Sequence, residues 1–146
     1  MTRIRGSRAD DAPRLFEIWQ AAVAATHDFV GAADKAEIAD IVREQYLPNA
    51  PLWVAVDEAD RPLGFMGMTG AVMDSLFIDP AHHGRGIGRA MVEHARSIAP
   101  ELSVDVNEQN ESAVAFYRHL GFRQVGRSPT DDSGRPYPLL HLRLDA

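Results

Sequence analysis

The feature that most constrains the fold is a strand-like segment that runs into a glycine-rich turn and then into an amphipathic helix. Val72–Asp79 is short and mostly apolar, and Pro80 ends it. Three alternating glycines follow in Gly84-Arg85-Gly86-Ile87-Gly88, and from Ile87 to Ile98 the apolar or semi-polar residues fall on one helical stripe. A strand, a glycine turn and a helix in this order indicate a sheet flanked by helices.

Other segments of the chain alternate between strand-like and helical periodicity in the same way. The residues predict further strands over 2–6, 52–56, 64–69, 102–106, 122–127 and 137–144, and helices over 10–25, from Asp34 to before Pro48, and from about Asn110 to Gly121. Asp34 and Glu37 have the spacing of a capping box, which predicts that the second helix begins at Asp34. We therefore expect a mixed sheet with helices on it, α/β (α+β) in class.

Length and composition exclude several classes of protein. The 146 residues suffice for a single domain, 1–146, and the absence of cysteine excludes disulfides, thiolate metal sites and a cysteine nucleophile. No stretch approaches the roughly 18 consecutive apolar residues of a membrane span. Acidic residues outnumber basic ones by 21 to 15, for a net charge of −6, which argues against nucleic acid as the main partner. We expect a cytoplasmic protein that binds neither nucleic acid nor membrane.

The glycine turn has the chemistry of an anion-binding site. Glycines allow the backbone to approach a ligand and to turn its N–H groups inward, and the helix that follows adds the positive end of its dipole. Arg85 and Arg89 can add charge-assisted contacts, so the segment predicts a pyrophosphate cradle that needs no lysine. The alternative is that the glycines only form a tight turn.

Two other nucleotide motifs fit this turn less well. No Lys-Ser or Lys-Thr pair follows the glycines, which excludes a P-loop, and the Gly-x-Gly-x-Gly spacing differs from the dinucleotide pattern Gly-x-Gly-x-x-Gly. Asp105 nevertheless lies about 20 residues farther on, at the end of the next predicted strand, where a dinucleotide domain places its ribose-binding acid. A domain that binds NAD therefore stays open as a second interpretation.

A further motif lies downstream of the glycine turn. It reads Asn107-Glu108-Gln109-Asn110-Glu111-Ser112-Ala113-Val114-Ala115-Phe116-Tyr117-Arg118-His119-Leu120-Gly121-Phe122. Together the two motifs resemble the GCN5-related N-acetyltransferase (GNAT) superfamily. In that family a strand, a Gln/Arg-x-x-Gly-x-Gly/Ala turn and a helix hold the pyrophosphate of coenzyme A, and an Asn-x-x-Ala-x-x-Phe-Tyr-x-x-x-Gly-Phe helix flanks the cofactor. The similarity extends over the whole chain.

A closer similarity, to small bacterial acetyltransferases of this family, rests on several other segments. They are Ala25-Thr26-His27-Asp28-Phe29, Ala50-Pro51-Leu52-Trp53-Val54-Ala55-Val56, Val106-Asn107-Glu108-Gln109-Asn110 and Pro136-Tyr137-Pro138-Leu139-Leu140. The resemblance implies the GNAT fold, a mixed, mostly antiparallel central sheet of about six to seven strands flanked by about four helices. It also implies an acetyl-CoA-dependent N-acetyltransferase, which transfers the acetyl group directly, in a ternary complex, to the primary amine of a protein lysine or a small molecule.

The same resemblance implies a set of residues that bind the co-substrate acetyl-CoA. They are Leu76, Phe77, Ile78, His83, Gly84, Arg85, Gly86, Ile87, Gly88, Arg89, Asn110, Ala113, Phe116 and Tyr117. The backbone of Leu76–Ile78 would pair with the pantetheine arm and polarise the acetyl carbonyl, and Asn110 would both cap its helix and bind the arm. His83 departs from the family pattern, which has Gln or Arg there. If this position binds the cofactor through its backbone N–H, the change to histidine matters little. If its side chain binds the cofactor, the affinity for acetyl-CoA would be lower or pH-dependent.

Acetyl transfer also needs an acid that protonates the leaving thiolate and a base that deprotonates the amine. Tyr117 matches the family tyrosine that protonates the departing thiolate, although its place on an apolar helix stripe also suits packing. The base that deprotonates the amine is open, and Asp74, His27, His141 and a water held by the backbone are the candidates. The chain has neither cysteine nor a Gly-x-Ser-x-Gly elbow, which argues against a covalent acetyl-enzyme.

The acceptor site is expected at the connection between the first two helices and at the final hairpin. The candidate residues are His27, Phe29, Tyr137 and His141. No metal is expected, because the adjacent His82 and His83 lack metal-ligand spacing. Both a monomer and a homodimer are compatible with the sequence. Besides the NAD-binding domain, a non-catalytic module that binds acyl-CoA remains as a rival.

Overall fold

A seven-stranded mixed sheet is the framework of the chain in a computed structural model, which describes residues 2–146. Its strands are β1 (Arg3–Gly6), β2 (Leu52–Val56), β3 (Pro62–Thr69), β4 (Val72–Ile78), β5 (Leu102–Asn107), β6 (Arg123–Ser128) and β7 (Leu139–Leu144). They are arranged in the order β1-β2-β3-β4-β5-β7-β6. β4 and β5 run parallel, whereas β1–β2, β2–β3, β5–β7 and β6–β7 are antiparallel.

The helices complete the predicted fold class. They are α1 (Ala12–Thr26), α2 (Ala32–Ile41), α3 (Ile87–Ile98) and α4 (Glu111–His119), with shorter helical turns at Ala9–Asp11, Val42–Tyr46 and Pro80–His82. The prediction of a mixed, mostly antiparallel sheet with about four helices is confirmed, and α3 has the predicted bounds. None of the helices in residues 2–146 is long and apolar enough to cross a bilayer.

The chain divides into two compact units. The first unit runs to Gly67 and includes Ser75–His94, and the second contains Met68–Asp74 and Ala95–Ala146. The first unit has a core between α1 and the strands β2 and β3, formed by Leu15, Ile18, Trp19, Leu47, Leu52, Val54, Val56 and Phe65. The α1 members lie at i, i+3 and i+4, so one face of the helix is apolar. Burying each such side chain contributes about 1.5–3 kcal/mol relative to its exposed state.

The second unit contains an antiparallel set of three strands with one apolar and one polar face. On β5, Leu102, Val104 and Val106 are buried, and the residues between them are partly or fully exposed. β7 repeats this alternation, with His141 and Arg143 between buried leucines. Because side chains alternate between the faces of a strand, Ser103, Asp105 and Asn107 share the polar face with His141 and Arg143.

The predicted capping box of the second helix is wrong. α2 begins at Ala32, and Gly31 is its N-cap residue in an extended conformation, with φ of −62° and ψ of 152°. The N–H of Lys35 already donates to the carbonyl oxygen of Gly31, at 2.9 Å. Asp34 therefore lies within the first turn and is not the N-cap residue; a carboxylate there favours the helix through the dipole. The helix starts earlier than predicted because Ala32 and Ala33 have high helix propensity.

Candidate active site

The end of β4 is held in place by hydrogen bonds on both sides of Asp79. The N–H of Asp79 donates to the carbonyl oxygen of Leu63 on β3, at 2.8 Å. The Asp79 carboxylate accepts from the N–H of Ala81 at 3.0 Å and from the Arg14 guanidinium at 2.7 Å. Burial opposes ionisation of Asp79, but these hydrogen bonds outweigh it and hold the pKa of the carboxyl below its usual range. These hydrogen bonds hold the residue from which the Pro80–His82 turn begins.

The glycine turn adopts a backbone that requires glycine at two positions. Gly84 has φ of +79° and Gly86 has φ of +77°, both in the left-handed region that other residues rarely enter. A Cβ at either position would meet nothing within 4 Å, so open space lies next to the backbone. The requirement for glycine is therefore conformational, and the turn leaves room for a ligand to approach its backbone.

The N-terminal end of α3 follows this turn directly. Ile87, Met91 and Val92 are buried and anchor the helix. The first N–H groups of a helix have no partner within it, and they carry the positive end of its dipole. Arg85 and Arg89 are exposed, so their guanidinium groups are accessible at this end of the helix. The turn and the helix end together can bind a phosphate-containing anion.

His83 is exposed at the start of the turn, at the position where it departs from the family pattern. Its N–H donates to the carbonyl oxygen of Pro80 over 3.3 Å, which is long for a hydrogen bond. Beside it, the Arg85 Nη1 lies 3.1 Å from the Nδ1 of His82. The backbone of His83 therefore belongs to the turn, and its imidazole faces solvent.

In the second unit, Asn110 caps α4 as predicted. Its side-chain oxygen accepts from the N–H of Ala113 at 3.2 Å and from the Ser112 hydroxyl at 3.1 Å. The residue is buried, with 9% of its surface exposed. A buried amide with its oxygen committed to the cap holds its NH₂ group in one orientation, because the two ends of the amide are rigidly linked. Asn110 can thus present donors to a ligand without losing the cap.

Tyr117 lies near the C-terminal end of α4 and is 6% exposed. Its ring packs edge-on against Phe116 and Phe122, with ring centroids 5.2 Å apart in each case. Burial raises the pKa of the phenol well above its usual value, because the phenolate would be poorly solvated. Gly121, with φ of +102°, ends the helix, and the N–H of Phe122 donates to the carbonyl oxygen of Tyr117 at 3.1 Å. The tyrosine is held by its ring contacts and is protonated at neutral pH.

Two of the predicted acceptor residues lie together at the end of α1. The rings of His27 and Phe29 are 5.3 Å apart between centroids. The His27 Nδ1 is 2.7 Å from the Thr26 hydroxyl, which donates its own proton to the carbonyl oxygen of Ala22 at 2.8 Å. The His27 Nδ1 must therefore be the donor of this pair, which leaves a lone pair on Nε2. Burial and the charge of Lys35 lower the pKa of His27, so the imidazole is neutral.

The other candidates for the base and the acceptor site, Asp74, Tyr137 and His141, all lie in the second unit. Asp74 is exposed and accepts a hydrogen bond from the Thr69 hydroxyl at 2.6 Å. Tyr137 is half-buried, and its N–H donates to the carbonyl oxygen of Arg135 at 2.7 Å. His141 hydrogen-bonds to Asp105 and Ser128.

Some contacts of this region were missed by the sequence analysis. The pairing of Arg14 with Asp79 joins residues 65 positions apart, and no local pattern indicates it. The capping role of Asp79 does have a local signal, since an aspartate directly before a proline is typical of a helix start. In the part of the chain that the structure describes, no group of three or more His, Asp or Glu side chains could hold a metal ion.

Comparison with known proteins gives consistent results over the full length. A family model described as an acetyltransferase (GNAT) domain matches residues 48–124. Peptidyl-lysine N-acetyltransferase YjaB of Escherichia coli (strain K12) is 56% identical over 139 residues, which cover 95% of this chain and 94% of that protein. The solution structure of apo-form YjaB from Escherichia coli has a TM-score of 0.95 at 54% identity and covers 100% of this chain and 99% of that one.

A more distant structure has the same fold. The structure of yncA from Salmonella typhimurium, with its cofactor acetyl-CoA, matches with a TM-score of 0.65 at 20% identity and covers 99% of this chain and 94% of that one. At this identity the match shows similarity of fold alone.

Proposed function

The chain belongs to the GCN5-related N-acetyltransferase (GNAT) family, and from this premise we propose that it acetylates lysine side chains of proteins. Its reaction is the transfer of an acetyl group from acetyl-CoA to an amine. The proposal of a peptidyl-lysine acceptor is supported by the name of the relative that is 56% identical over nearly the whole chain. A net charge of −6 also favours the approach of a basic peptide, because the field of an acidic protein attracts cations.

The proposed pyrophosphate site is the turn Gly84–Gly88 with the N-terminal end of α3. The observation that carries this proposal is the left-handed backbone of Gly84 and Gly86 beside open space. Backbone N–H groups of the turn would donate to phosphate oxygens, and Arg85 and Arg89 would add charge-assisted hydrogen bonds. The backbone of Leu76–Ile78, at the end of β4, would hydrogen-bond the pantetheine arm as an added strand.

Replacing Gly86 with alanine tests the cradle. At a φ of +77° an alanine costs roughly 1–2 kcal/mol, and the turn relieves this strain by rotating its N–H groups away from the ligand. We expect the Kd for acetyl-CoA to rise at least about tenfold, which corresponds to ~1.4 kcal/mol. Isothermal titration calorimetry with acetyl-CoA measures the change directly.

Gly70→Ala is the matched control for this test. Gly70 has φ of +60° in the turn between β3 and β4, and a Cβ there also meets nothing within 4 Å. Gly70→Ala should therefore lower stability by a similar amount while it leaves the affinity for acetyl-CoA unchanged. Equal affinities in Gly86→Ala and Gly70→Ala would refute the cradle.

Direct transfer in a ternary complex is the proposed chemistry. An amine attacks the thioester carbonyl, and a backbone N–H at the end of β4 stabilises the negative charge that develops on its oxygen. Tyr117 is proposed to donate its phenolic proton to the departing thiolate; its ring is held between Phe116 and Phe122, and its raised pKa keeps the phenol protonated before transfer. Asn110 is proposed to orient the pantetheine arm with the NH₂ group that its capping oxygen holds in place.

His27 is proposed as the base that takes the proton from the amine. Its Nδ1 is committed to the Thr26 hydroxyl, its Nε2 carries a lone pair, and its pKa is lowered by burial and by Lys35. A lysine amine is protonated at neutral pH, so transfer needs an acceptor that is itself neutral there. Phe29 beside it offers an apolar wall for the lysine side chain.

Replacing His27 with alanine should lower kcat/KM by roughly 10²-fold, the lower end of the usual effect of removing a general base. The wild-type enzyme should keep its activity to a pH below 6.5, the ordinary pKa of a histidine, because a lowered pKa keeps the His27 imidazole neutral there. A pH profile of kcat/KM in the wild type and in His27→Ala measures both effects. His119→Ala, which removes an exposed histidine from the end of α4, is the control and should have no effect. An unchanged profile in His27→Ala would exclude this base.

The acceptor itself is tested with a panel of amines. Acetyl-CoA turnover should be highest with lysine-containing peptides whose N-terminus is blocked, and low with free amino acids, polyamines and peptides in which arginine replaces lysine. Mass spectrometry of the peptides locates the acetyl group. Turnover of small amines alone would leave the acetyl-transfer activity in place and overturn the peptidyl-lysine acceptor.

The other properties of the enzyme are proposed from the same premise. The chain would act as one catalytic domain over residues 1–146, in the cytoplasm, as a monomer or homodimer, without nucleic acid or membrane as a partner. The 21 acidic residues outnumber the 15 basic ones, which supports the proposal that nucleic acid is not a partner. Size-exclusion chromatography with light scattering determines the oligomeric state.

A further inference from the structure

Three polar side chains on neighbouring strands of the second unit form a continuous chain of hydrogen bonds. Asp105 on β5 lies directly opposite His141 on β7, and its Oδ1 is 2.6 Å from the His141 Nδ1. The His141 Nε2 is 2.7 Å from the Oγ of Ser128, on β6. A hydroxyl beside a base that is itself oriented by a third group is the arrangement of nucleophilic serine sites. We propose that Ser128, His141 and Asp105 form a second catalytic site, in which Ser128 attacks activated acyl esters.

The hydrogen bonds assign a distinct role to each residue. A carboxylate can only accept hydrogen bonds, so the His141 Nδ1 carries the proton that Asp105 accepts. In the neutral imidazole, the His141 Nε2 then has the lone pair and accepts the hydroxyl proton of Ser128. His141 is the only hydrogen-bond partner of the Ser128 hydroxyl in residues 2–146. The hydroxyl proton of Ser128 is therefore directed at the His141 Nε2, which can act as its base.

The strands place this site on the accessible face of the sheet. Val104 and Val106 flank Asp105, and Leu140 and Leu142 flank His141, all four buried on the other face. The side chains of His141 and Asp105 are 32% and 46% exposed. Ser128 itself is half-buried, so part of the residue is open to a small ester in solution.

A bulge in β6 makes room for the imidazole. The register between β6 and β7 shifts between Gln124 and Gly126, which brings Gly126 opposite His141. A Cβ at position 126 would lie 3.2 Å from the His141 Cδ2, so a side chain there would push the ring. Bulges re-aim side chains next to active sites, and this one sets both the ring and the strand that carries Ser128.

Water is the second reactant of the proposed ester hydrolysis. The Ser128 Oγ bonds to the carbonyl carbon of the ester while its proton moves to the His141 Nε2. The bond from that carbon to the leaving oxygen then breaks, and the proton passes to the leaving alcohol or phenol. Water adds to the acyl-serine, again giving a proton to His141, and the carboxylic acid leaves as the proton returns to Oγ. With a fluorophosphonate, the Oγ–P bond forms as the P–F bond breaks, the His141 Nε2 takes the serine proton, fluoride leaves, and the reaction stops at the adduct.

The test uses the full chain without acetyl-CoA, so it is independent of acetyl transfer. A fluorophosphonate probe followed by peptide mass spectrometry should place the adduct on Ser128, and p-nitrophenyl acetate should release p-nitrophenol. Ser128→Ala should abolish both signals. Asp105→Asn should reduce the labelling rate by at least about tenfold, since the base would lose its orienting carboxylate. Ser103→Ala, on the same face of β5, is the control and should label like the wild type.

Gly126→Ala distinguishes a catalytic Ser128–His141–Asp105 site from a hydrogen-bond network without catalytic function. It keeps all three side chains and should still slow labelling, because the new Cβ displaces the ring of His141. Thermal unfolding of each variant confirms that it is folded. No adduct on Ser128, or an adduct that forms at the same rate in Asp105→Asn, would overturn the proposal and leave the three residues as a cross-strand hydrogen-bond network.

Discussion

Tyr117→Phe should lower kcat about 10²–10⁴-fold while the affinity for acetyl-CoA stays unchanged, because it removes a single proton donor and keeps the ring. The ring packs between Phe116 and Phe122, and phenylalanine preserves both contacts. The hydroxyl has no hydrogen-bond partner among residues 2–146, so its removal leaves no unsatisfied group behind. The measurement is steady-state thiol release with a lysine peptide, together with calorimetry of acetyl-CoA binding.

Tyr46→Phe is the matched control for this effect. The Tyr46 hydroxyl is 2.8 Å from the Ser75 Oγ, so its removal should reduce stability by roughly 1 kcal/mol and leave kcat alone. Because burial raises the pKa of Tyr117, the wild-type kcat should not fall with rising pH through ionisation of this phenol across the ordinary assay range. A kcat in Tyr117→Phe equal to that of the wild type would assign the tyrosine to packing and favour a non-catalytic or water-assisted role.

Asp11→Ala should destabilise the fold by about 3 kcal/mol, because it breaks a buried ion pair on one side only. The Arg5 guanidinium donates to both carboxylate oxygens of Asp11, at 2.8 and 3.0 Å, and the side chains are 14% and 8% exposed. The Asp11 carboxylate also accepts the N–H of Arg8 at 2.7 Å. Asp60 still pairs with Arg5 in the variant, which keeps the loss near the lower end for a buried pair.

The effect of pH on this pair has a definite sign. The hydrogen bond from Arg5 lowers the pKa of Asp11, with smaller contributions from Arg8, although burial opposes the shift. A carboxyl with a lowered pKa stabilises the fold above its unfolded pKa of about 3.9, and this stabilisation is lost as pH falls through the folded pKa. The difference between wild type and Asp11→Ala should therefore be full at neutral pH and shrink in acid.

Thermal unfolding between neutral and acid pH measures both parts of this prediction. At about 2–4 °C per kcal/mol for a chain of this size, the Tm of Asp11→Ala should fall by roughly 6–12 °C at pH 7. Asp10→Ala removes the neighbouring exposed carboxylate and should change the Tm little. Equal Tm values for the two variants would contradict the prediction and would mean that water solvates the Arg5 guanidinium in place of Asp11.

Local patterns predicted most of the fold and part of the site. The helical stripe from Ile87 gave α3 its bounds, and the Asn-x-x-Ala spacing placed the N-cap at Asn110. Glycines with positive φ stand where the turn motif has them, at Gly84 and Gly86. The capping box at Asp34 failed because a three-residue spacing also occurs inside a helix, and the start of α2 depends on how far its alanines extend it.

What the sequence by itself determined is therefore the succession of elements, the glycine turn, the capped helix with Tyr117 and, through these, membership of an acetyltransferase family. Each depends on residues a few positions apart, whose backbone preferences act locally. Only the tertiary structure decided that Asp105 faces His141, that Ser128 reaches the same ring, and that Arg14 meets Asp79. Strand register and bulges set these contacts, and a shift of one residue would turn every side chain to the other face. Periodicity alone cannot choose between such registers.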